Sequence, residues 1–180
     1  MVVVLSRSPE VRRPTAADGP AWAEFLAEAQ ALTYRDLAGP RFVGRSPAEV
    51  QTYGEQLAAT FAVEDGTIHR LAVRDDHIVA VASAGPAPSP WEVAQGHLPA
   101  PADWQLQRLY LHPEVHGTGL ADVLMAEVLP EPRPTYLWII EGNERAGRFY
   151  RKRGFVALDE SFPAGESWGS LPMRRMLRPA

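Results

Sequence analysis

The stretch "HPEVHGTGLADVL", residues 112–124, joins a strand-like run to a helix-like one. Upstream, "WQLQRLYLHP" (104–113) reads as a strand that stops at Pro113. Downstream, Leu120, Val123, Leu124 and Val128 recur at helical spacing until Pro130 ends the pattern. Gly117 and Gly119 stand between the two. A strand, a glycine turn and a helix start leave unpaired N–H groups at the positive end of a helix dipole. Glycines also let an anion come close to the main chain. Gly117, Thr118, Gly119, Leu120 and Ala121 therefore read either as a phosphate cradle or as a plain strand-to-helix turn. Two specific phosphate loops are excluded. No Lys follows the second glycine, as a Walker loop requires. Asp122 stands where a dinucleotide fingerprint needs a small residue.

The flanks extend the pattern. "TYLWIIEG" (135–142) is a nearly continuous apolar run with β-branched and aromatic residues, which suits a buried strand. Asn143 is a good N-cap. Ala146, Phe149, Tyr150 and Arg153 then follow at helical spacing, and Gly154 is placed to end that helix. "FVAL" (155–158) and "LPMRRML" (171–177) read as closing strands. In the N-terminal half, a short strand ends at Pro14, and Thr15 with Asp18 has capping-box spacing. Trp22, Phe25, Leu26 and Ala29 form one helical stripe. Ser46, Pro47 and Glu49 open a second helix, with Val50, Tyr53, Leu57 and Phe61 as its apolar face. "TIHRLAVRDDHIVAVASAG" (67–85) is a hairpin turning at Asp75 and Asp76. The Pro- and Ala-rich segment 86–103 reads as a loop, either a functional flap or a tolerated insertion. The order of elements predicts a mixed α/β layer in one domain, residues 1–180.

Composition narrows the function classes. Of 180 residues, 46% are hydrophobic and 22% charged, a globular profile. The net charge of −4 gives a nucleic-acid role no support. No cysteine is present, so disulfides and thiolate metal sites are excluded, and no run reaches membrane-span length. A cytoplasmic protein is the expectation. Basic residues cluster at Arg145, Arg148, Arg151, Lys152 and Arg153, and again at Arg174, Arg175 and Arg178. These are either solvated faces or a local anion site.

"HGTGLA" (116–121) together with "EGNERAGRFYRKRGF" (141–155) resembles the GNAT superfamily of acyl-CoA-dependent N-acetyltransferases. The pyrophosphate loop of that family reads Gln/Arg-x-x-Gly-x-Gly/Ala. Here Gly119 and Ala121 match, and His116 departs from the usual Gln or Arg. Asn143, Ala146, Phe149, Tyr150, Gly154 and Phe155 follow in the family's order. The detailed resemblance covers roughly residues 104–158.

The resemblance implies a mostly antiparallel mixed sheet flanked by helices, in which two parallel strands splay apart. These would be 104–111 and 135–141. It implies acetyl-CoA as the acyl donor, with its diphosphate on His116 to Ala121 and its pantetheine arm along Leu109, Leu111 and Asn143. The N–H near Leu111 would polarise the thioester carbonyl, and Tyr150 would protonate the departing thiolate. Without the resemblance, Asn143 is a cap and Tyr150 a core aromatic. Arg148, Arg151 or Lys152 would reach the outer phosphate. The position where many relatives carry a general-base Glu falls at Gln105, which cannot act as a base. Glu141 is the first substitute and His112 the next. Each has a plain reading too: a solvated strand-end carboxylate and a loop residue facing solvent. Glu166 and Trp168 would line the acceptor pocket. The implied reaction is acetyl transfer to a primary amine of a small molecule or peptide, with a homodimer open. Gln105 and His116 also favour another class, a non-catalytic acyl-CoA sensor or scaffold. A nucleotide-dependent phosphotransferase is a third reading, weakened by the missing Lys.

Overall fold

The computed structural model describes residues 8–39, 44–158, 160–165 and 168–180. Strand β1, Glu10–Arg12, leads through a single 3₁₀ turn into helix α1, Gly19–Ala38. Asp18 anchors that turn, accepting from the Thr15 N–H at 2.7 Å and from the Arg12 guanidinium at 2.7 and 2.9 Å. Helix α2, Pro47–Phe61, begins as its sequence dictates, with the Glu49 carboxylate accepting from the Ser46 N–H at 2.7 Å. The two helices meet at a glycine contact. A Cβ on Gly19 would lie 2.5 Å from the Gly54 carbonyl oxygen, so no larger residue fits.

Strands β2, Ile68–Arg74, and β3, His77–Pro86, form the expected hairpin. Asp75 and Asp76 take φ of 51° and 63°, the left-handed pair that a tight hairpin turn needs. Next come helix α3, Pro90–Gln95, strand β4, Trp104–Leu111, and helix α4, Leu120–Val128. Strand β5, Thr135–Ile140, and helix α5, Glu144–Arg151, follow. Strands β6, Val156–Ala157, β7, Phe162–Pro163, and β8, Pro172–Arg178, close the chain. The eight strands form one sheet in the order β1-β2-β3-β4-β5-β8-β6, with β7 beside β8. All pairings are antiparallel except β4 with β5. This is the expected mixed α/β architecture.

One core fills the face covered by α4 and α5, with Leu106, Leu124, Val128, Leu137 and Phe155 in it. A second lies under α1 and α2, around Trp22, Leu26, Leu57 and Phe61, and a third gathers Tyr34, Ala38, Ile140, Leu171 and Met173. A bulge in β4 decides what faces the first two. Its register with β3 steps from Ala84↔Leu106 to Ser83↔Arg108, leaving Gln107 as the extra residue. Leu106, Leu109 and Leu111 therefore turn to the α4/α5 side. Gln105, Arg108 and Tyr110 turn to the opposite one.

Two expectations need correction. Segment 86–103 is not an open loop: it contains α3 and packs onto the sheet, with Glu92 0% exposed. The Glu92 carboxylate accepts from the Ser89 N–H (2.7 Å), Gln105 Nε2 (3.0 Å), Tyr136 Oη (2.7 Å) and Trp138 Nε1 (2.8 Å). A buried carboxylate with that many donors anchors a segment that its Pro content alone would leave loose. Val123 lies off the buried stripe of α4 and is exposed, while Met125 takes a buried place. The short strand β7 had no local signal.

Candidate active site

Beyond Gln105↔Tyr136 no further pairs join β4 and β5. Strand β5 instead pairs along its whole length with β8. The two parallel strands thus touch at one end and part at the other. The His112 N–H donates to the Val79 carbonyl on β3 at 2.8 Å. The alternation of an antiparallel ladder then turns the main-chain groups of Leu109 and Leu111 away from β3 and toward the gap. A cavity of about 470 Å³ occupies this gap.

The glycine turn forms one mouth of the cavity. Gly117 and Gly119 have φ of 76° and 85°, and a Cβ on either would meet nothing within 4 Å. The space beside both residues is open, as a cradle for a phosphate requires. The N–H groups of Gly117, Thr118, Gly119 and Ala121 find no protein acceptor among the described residues. Gly117, Gly119 and Ala121 line the cavity. Thr118 and Leu120 stand behind its wall: the Thr118 hydroxyl donates to the Val115 carbonyl at 2.8 Å, and Leu120 is buried in the core.

His116 is not a vacancy in the loop. Its Nε2 lies 3.1 Å from the Leu111 carbonyl oxygen, and its Nδ1 lies 2.7 Å from Nη1 of Arg145. The ring donates at Nε2 and accepts at Nδ1. Burial, then the Arg145 charge, lowers its pKa and favours this neutral form. Arg145 is in turn held at the mouth, and it forms no ion pair among the described residues. Of the basic cluster, Arg145 and Arg153 line the cavity, whereas Arg148, Arg151 and Lys152 do not.

Asn143 lines the cavity and also caps α5, its Oδ1 accepting from the Ala146 N–H at 3.2 Å. Tyr150 lines it from the same helix, packed edge-on against Phe149 and Phe155. Burial, followed by neighbouring Tyr110, pushes its phenol up, so it keeps its proton. Two further phenols complete the wall: the hydroxyls of Tyr34, on α1, and Tyr110, on β4, lie 3.2 Å apart. Tyr34 is likewise held well above the usual phenol range by burial.

The candidate bases lie elsewhere. Gln105 is 2% exposed and committed, its Oε1 accepting from the Ser89 hydroxyl at 2.5 Å and its Nε2 donating to Glu92. Glu141 and His112 are not part of the cavity wall. Glu141 pairs with Arg174 at 2.9 Å, and its contacts with Ser161 and Arg174 hold its carboxyl below the usual range. His112 accepts at Nδ1 from the Glu114 N–H at 3.4 Å. Asp122, the acidic residue on the cavity wall, is paired with Arg153. Trp168 sits edge-on against Tyr34, with ring centroids 4.9 Å apart, and Glu166 lies outside the described residues.

Arg145, Tyr34, Tyr110 and Arg108 are cavity residues that sequence reasoning had not assigned to the site. Arg145 carried a signal, lying two residues after the capping Asn143 in the basic cluster. Tyr34 carried none, because it stands beyond the periodic stripe of its helix.

The same architecture occurs in solved proteins. PaiA N-acetyltransferase from Thermoplasma acidophilum, crystallised in complex with coenzyme A, superposes with a TM-score of 0.65 at 18% identity. The alignment covers 97% of this chain and 100% of that one. Ribosomal-protein-alanine N-acetyltransferase from Brucella melitensis gives 0.65 at 20%, covering 95% and 99%. YncA, a putative acetyltransferase from Salmonella typhimurium with acetyl-CoA, gives 0.63 at 17%, covering 96% and 94%. At these identities the likeness is one of fold. Uncharacterized N-acetyltransferases of Mycobacterium tuberculosis and Mycobacterium bovis are 43% identical over 58 residues, which is 29% of this chain. The chain spans 37% of the length of these curated relatives. The profile described as "Acetyltransferase (GNAT) family" matches residues 31–155, from the end of α1 through α5. That match takes in the parted strands and the glycine turn, and with it this chain belongs to the GNAT family of acetyltransferases.

Proposed function

We propose that the chain moves an acetyl group from acetyl-CoA to a primary amine of a small molecule or peptide, by direct attack in a ternary complex. It would do so as one domain, residues 1–180, in the cytoplasm. The observation that carries this reading is the one-sided opening of the sheet. Strands β4 and β5 meet at Gln105 and Tyr136 and then part. The gap has the glycine turn at one mouth and the phenols of Tyr34, Tyr110 and Tyr150 along its wall.

Acetyl-CoA supplies an activated acyl carbon, and the other requirements fall to this chain. The free N–H groups of Gly117, Thr118, Gly119 and Ala121 hold the diphosphate, with Leu120 fixing the turn from behind. Arg145, placed by His116, adds a cation where the family pattern has Gln or Arg. Leu109 and Leu111 present main-chain partners to the pantetheine arm, and Asn143 offers the Nδ2 that its cap leaves over. The Leu111 N–H holds the thioester oxygen and stabilises its charge as the amine attacks. Nitrogen loses one proton and sulfur gains one. Tyr150 stays protonated and donates toward the sulfur. The paired hydroxyls of Tyr34 and Tyr110 offer a route for the amine proton. Glu141 accepts it only through water, given its place outside the cavity.

The first test is direct. Coenzyme A should release heat on binding, and acetyl-CoA with a panel of primary amines should release free thiol. Absence of heat removes the reading. A second reading, a non-catalytic acyl-CoA sensor, is favoured by one observation: among the described residues no unpaired carboxylate lines the cavity. Coenzyme A heat without thiol release from any amine selects it. A Tyr150→Phe variant should lose turnover by roughly 100-fold, the scale of acid–base catalysis, while coenzyme A affinity stays within a few-fold. Unchanged turnover removes Tyr150 as the donor.

A further inference from the structure

A second cavity, of about 380 Å³, lies on the α1/α2 side of the sheet. Its walls come from α2, β2, the start of α3, β4 and β5. It shares Leu106, Gln107, Arg108 and Trp138 with the first cavity, so residues of the parted strands form the wall between the two. Three aromatic rings shape it: Tyr53, Trp91 and Trp138, the last two with centroids 5.4 Å apart.

Three polar residues of this wall, Arg108, Tyr53 and His69, carry the argument. Arg108 is half-buried on the bulged strand and forms no ion pair among the described residues. Its guanidinium lies 5.9 Å from the centre of the Tyr53 ring. Tyr53 Oη and His69 Nε2 are buried without a hydrogen-bond partner among the described residues. The acidic residue of the wall, Asp65, is exposed and accepts from the Thr67 N–H at 2.8 Å. A half-buried cation beside unsatisfied polar atoms and aromatic surface is costly in an empty cavity and favourable with a planar anion bound.

We propose that this cavity takes a carboxylate-bearing amine, an apolar or aromatic α-amino acid, with its carboxylate on Arg108 and its side chain against Trp91, Trp138 and Tyr53. The inference rests on the acetyl-transfer reading for the fate of the amine. Arg108 lines both cavities, so a carboxylate held there leaves the α-nitrogen, two bonds from the carboxylate carbon, beside the wall that they share. In the transfer, the carbon–nitrogen bond forms as the thioester carbon–sulfur bond breaks. One proton leaves nitrogen and one reaches sulfur, giving an N-acetyl amino acid and coenzyme A.

The experiment uses matched pairs that differ only in the carboxylate: L-phenylalanine against phenethylamine, L-tryptophan against tryptamine, and L-leucine against isopentylamine. Each is titrated calorimetrically into the protein with and without saturating coenzyme A, and thiol release from acetyl-CoA is the second readout. At least one acid should bind ten-fold or more tightly than its decarboxylated partner, the scale of a charge-assisted bidentate pair. Arg108→Gln should erase that difference by weakening the acid alone. Equal binding of every pair, no binding of any acid, or equal weakening of both members in Arg108→Gln overturns the proposal. The comparison within the unaltered protein stands even if the variant does not fold. Coenzyme A heat without amino-acid heat overturns the acceptor assignment alone. Amino-acid heat without coenzyme A heat removes the acetyl-transfer reading and leaves the carboxylate site.

Discussion

Gly119→Glu is expected to abolish coenzyme A binding, with a loss of at least a hundred-fold in calorimetric affinity. Gly119 has φ of 85°, and a Cβ there meets nothing within 4 Å, so the new side chain enters the open space of the cradle. Its carboxylate would face a bound diphosphate. Two like charges about 4 Å apart at an effective dielectric near 20 repel by about 4 kcal/mol, roughly a thousand-fold in affinity. The positive φ adds strain of about 1–2 kcal/mol for any side chain, which lowers stability without touching the charge argument. Gly119→Ala separates the two effects: it carries the strain and only a methyl group. It should melt like the Glu variant and keep most of its coenzyme A affinity. Normal affinity in Gly119→Glu would falsify the cradle.

The second large effect is on stability. Glu92→Leu should destabilise the fold by about 3–5 kcal/mol, read from chemical denaturation followed by tryptophan fluorescence. The carboxylate is fully buried and satisfies the Ser89 N–H, Gln105, Tyr136 and Trp138 at once. Leucine fills much of the same volume but leaves all of those donors without an acceptor in the interior. Glu92→Gln should fall between, because its amide oxygen still accepts while its NH₂ meets other donors. A loss below about 1 kcal/mol for the leucine variant would show that α3 is held by its aromatic contacts instead. Those contacts exist: Trp91 and His97 both pack on Trp138, with centroids 5.4 and 5.3 Å away.

The same carboxylate explains the chemistry at Gln105. Gln105, for which the family resemblance implied the position of a base, is here part of a buried hydrogen-bond network. Its donor and acceptor ends are both spent, so it serves structure and not proton transfer. His116 follows a similar logic. The loop that departs from the family pattern at this position regains a cation from the next helix, because the imidazole accepts from Arg145 while donating to Leu111. Neither relation is visible along the chain, where Glu92 stands 13 residues from Gln105 and His116 stands 29 from Arg145.

What the chain determined by itself is local. Periodicity, caps and turn residues placed α1, α2, α4 and α5, the Asp75–Asp76 hairpin, the strands other than β7 and the glycine turn before α4, since each is set by neighbours within a few residues. The paired motifs at 116–121 and 141–155 also pointed to the family. What only the tertiary structure decided is which faces meet. The β4 bulge set the side on which Gln105, Arg108 and Tyr110 point. Pairing of β5 with β8 left its other edge free to part from β4. Burial of Glu92 turned a Pro-rich loop into a wall, and packing carried Tyr34 to Tyr110. These outcomes depend on contacts between residues far apart in sequence, whose energies no local pattern encodes.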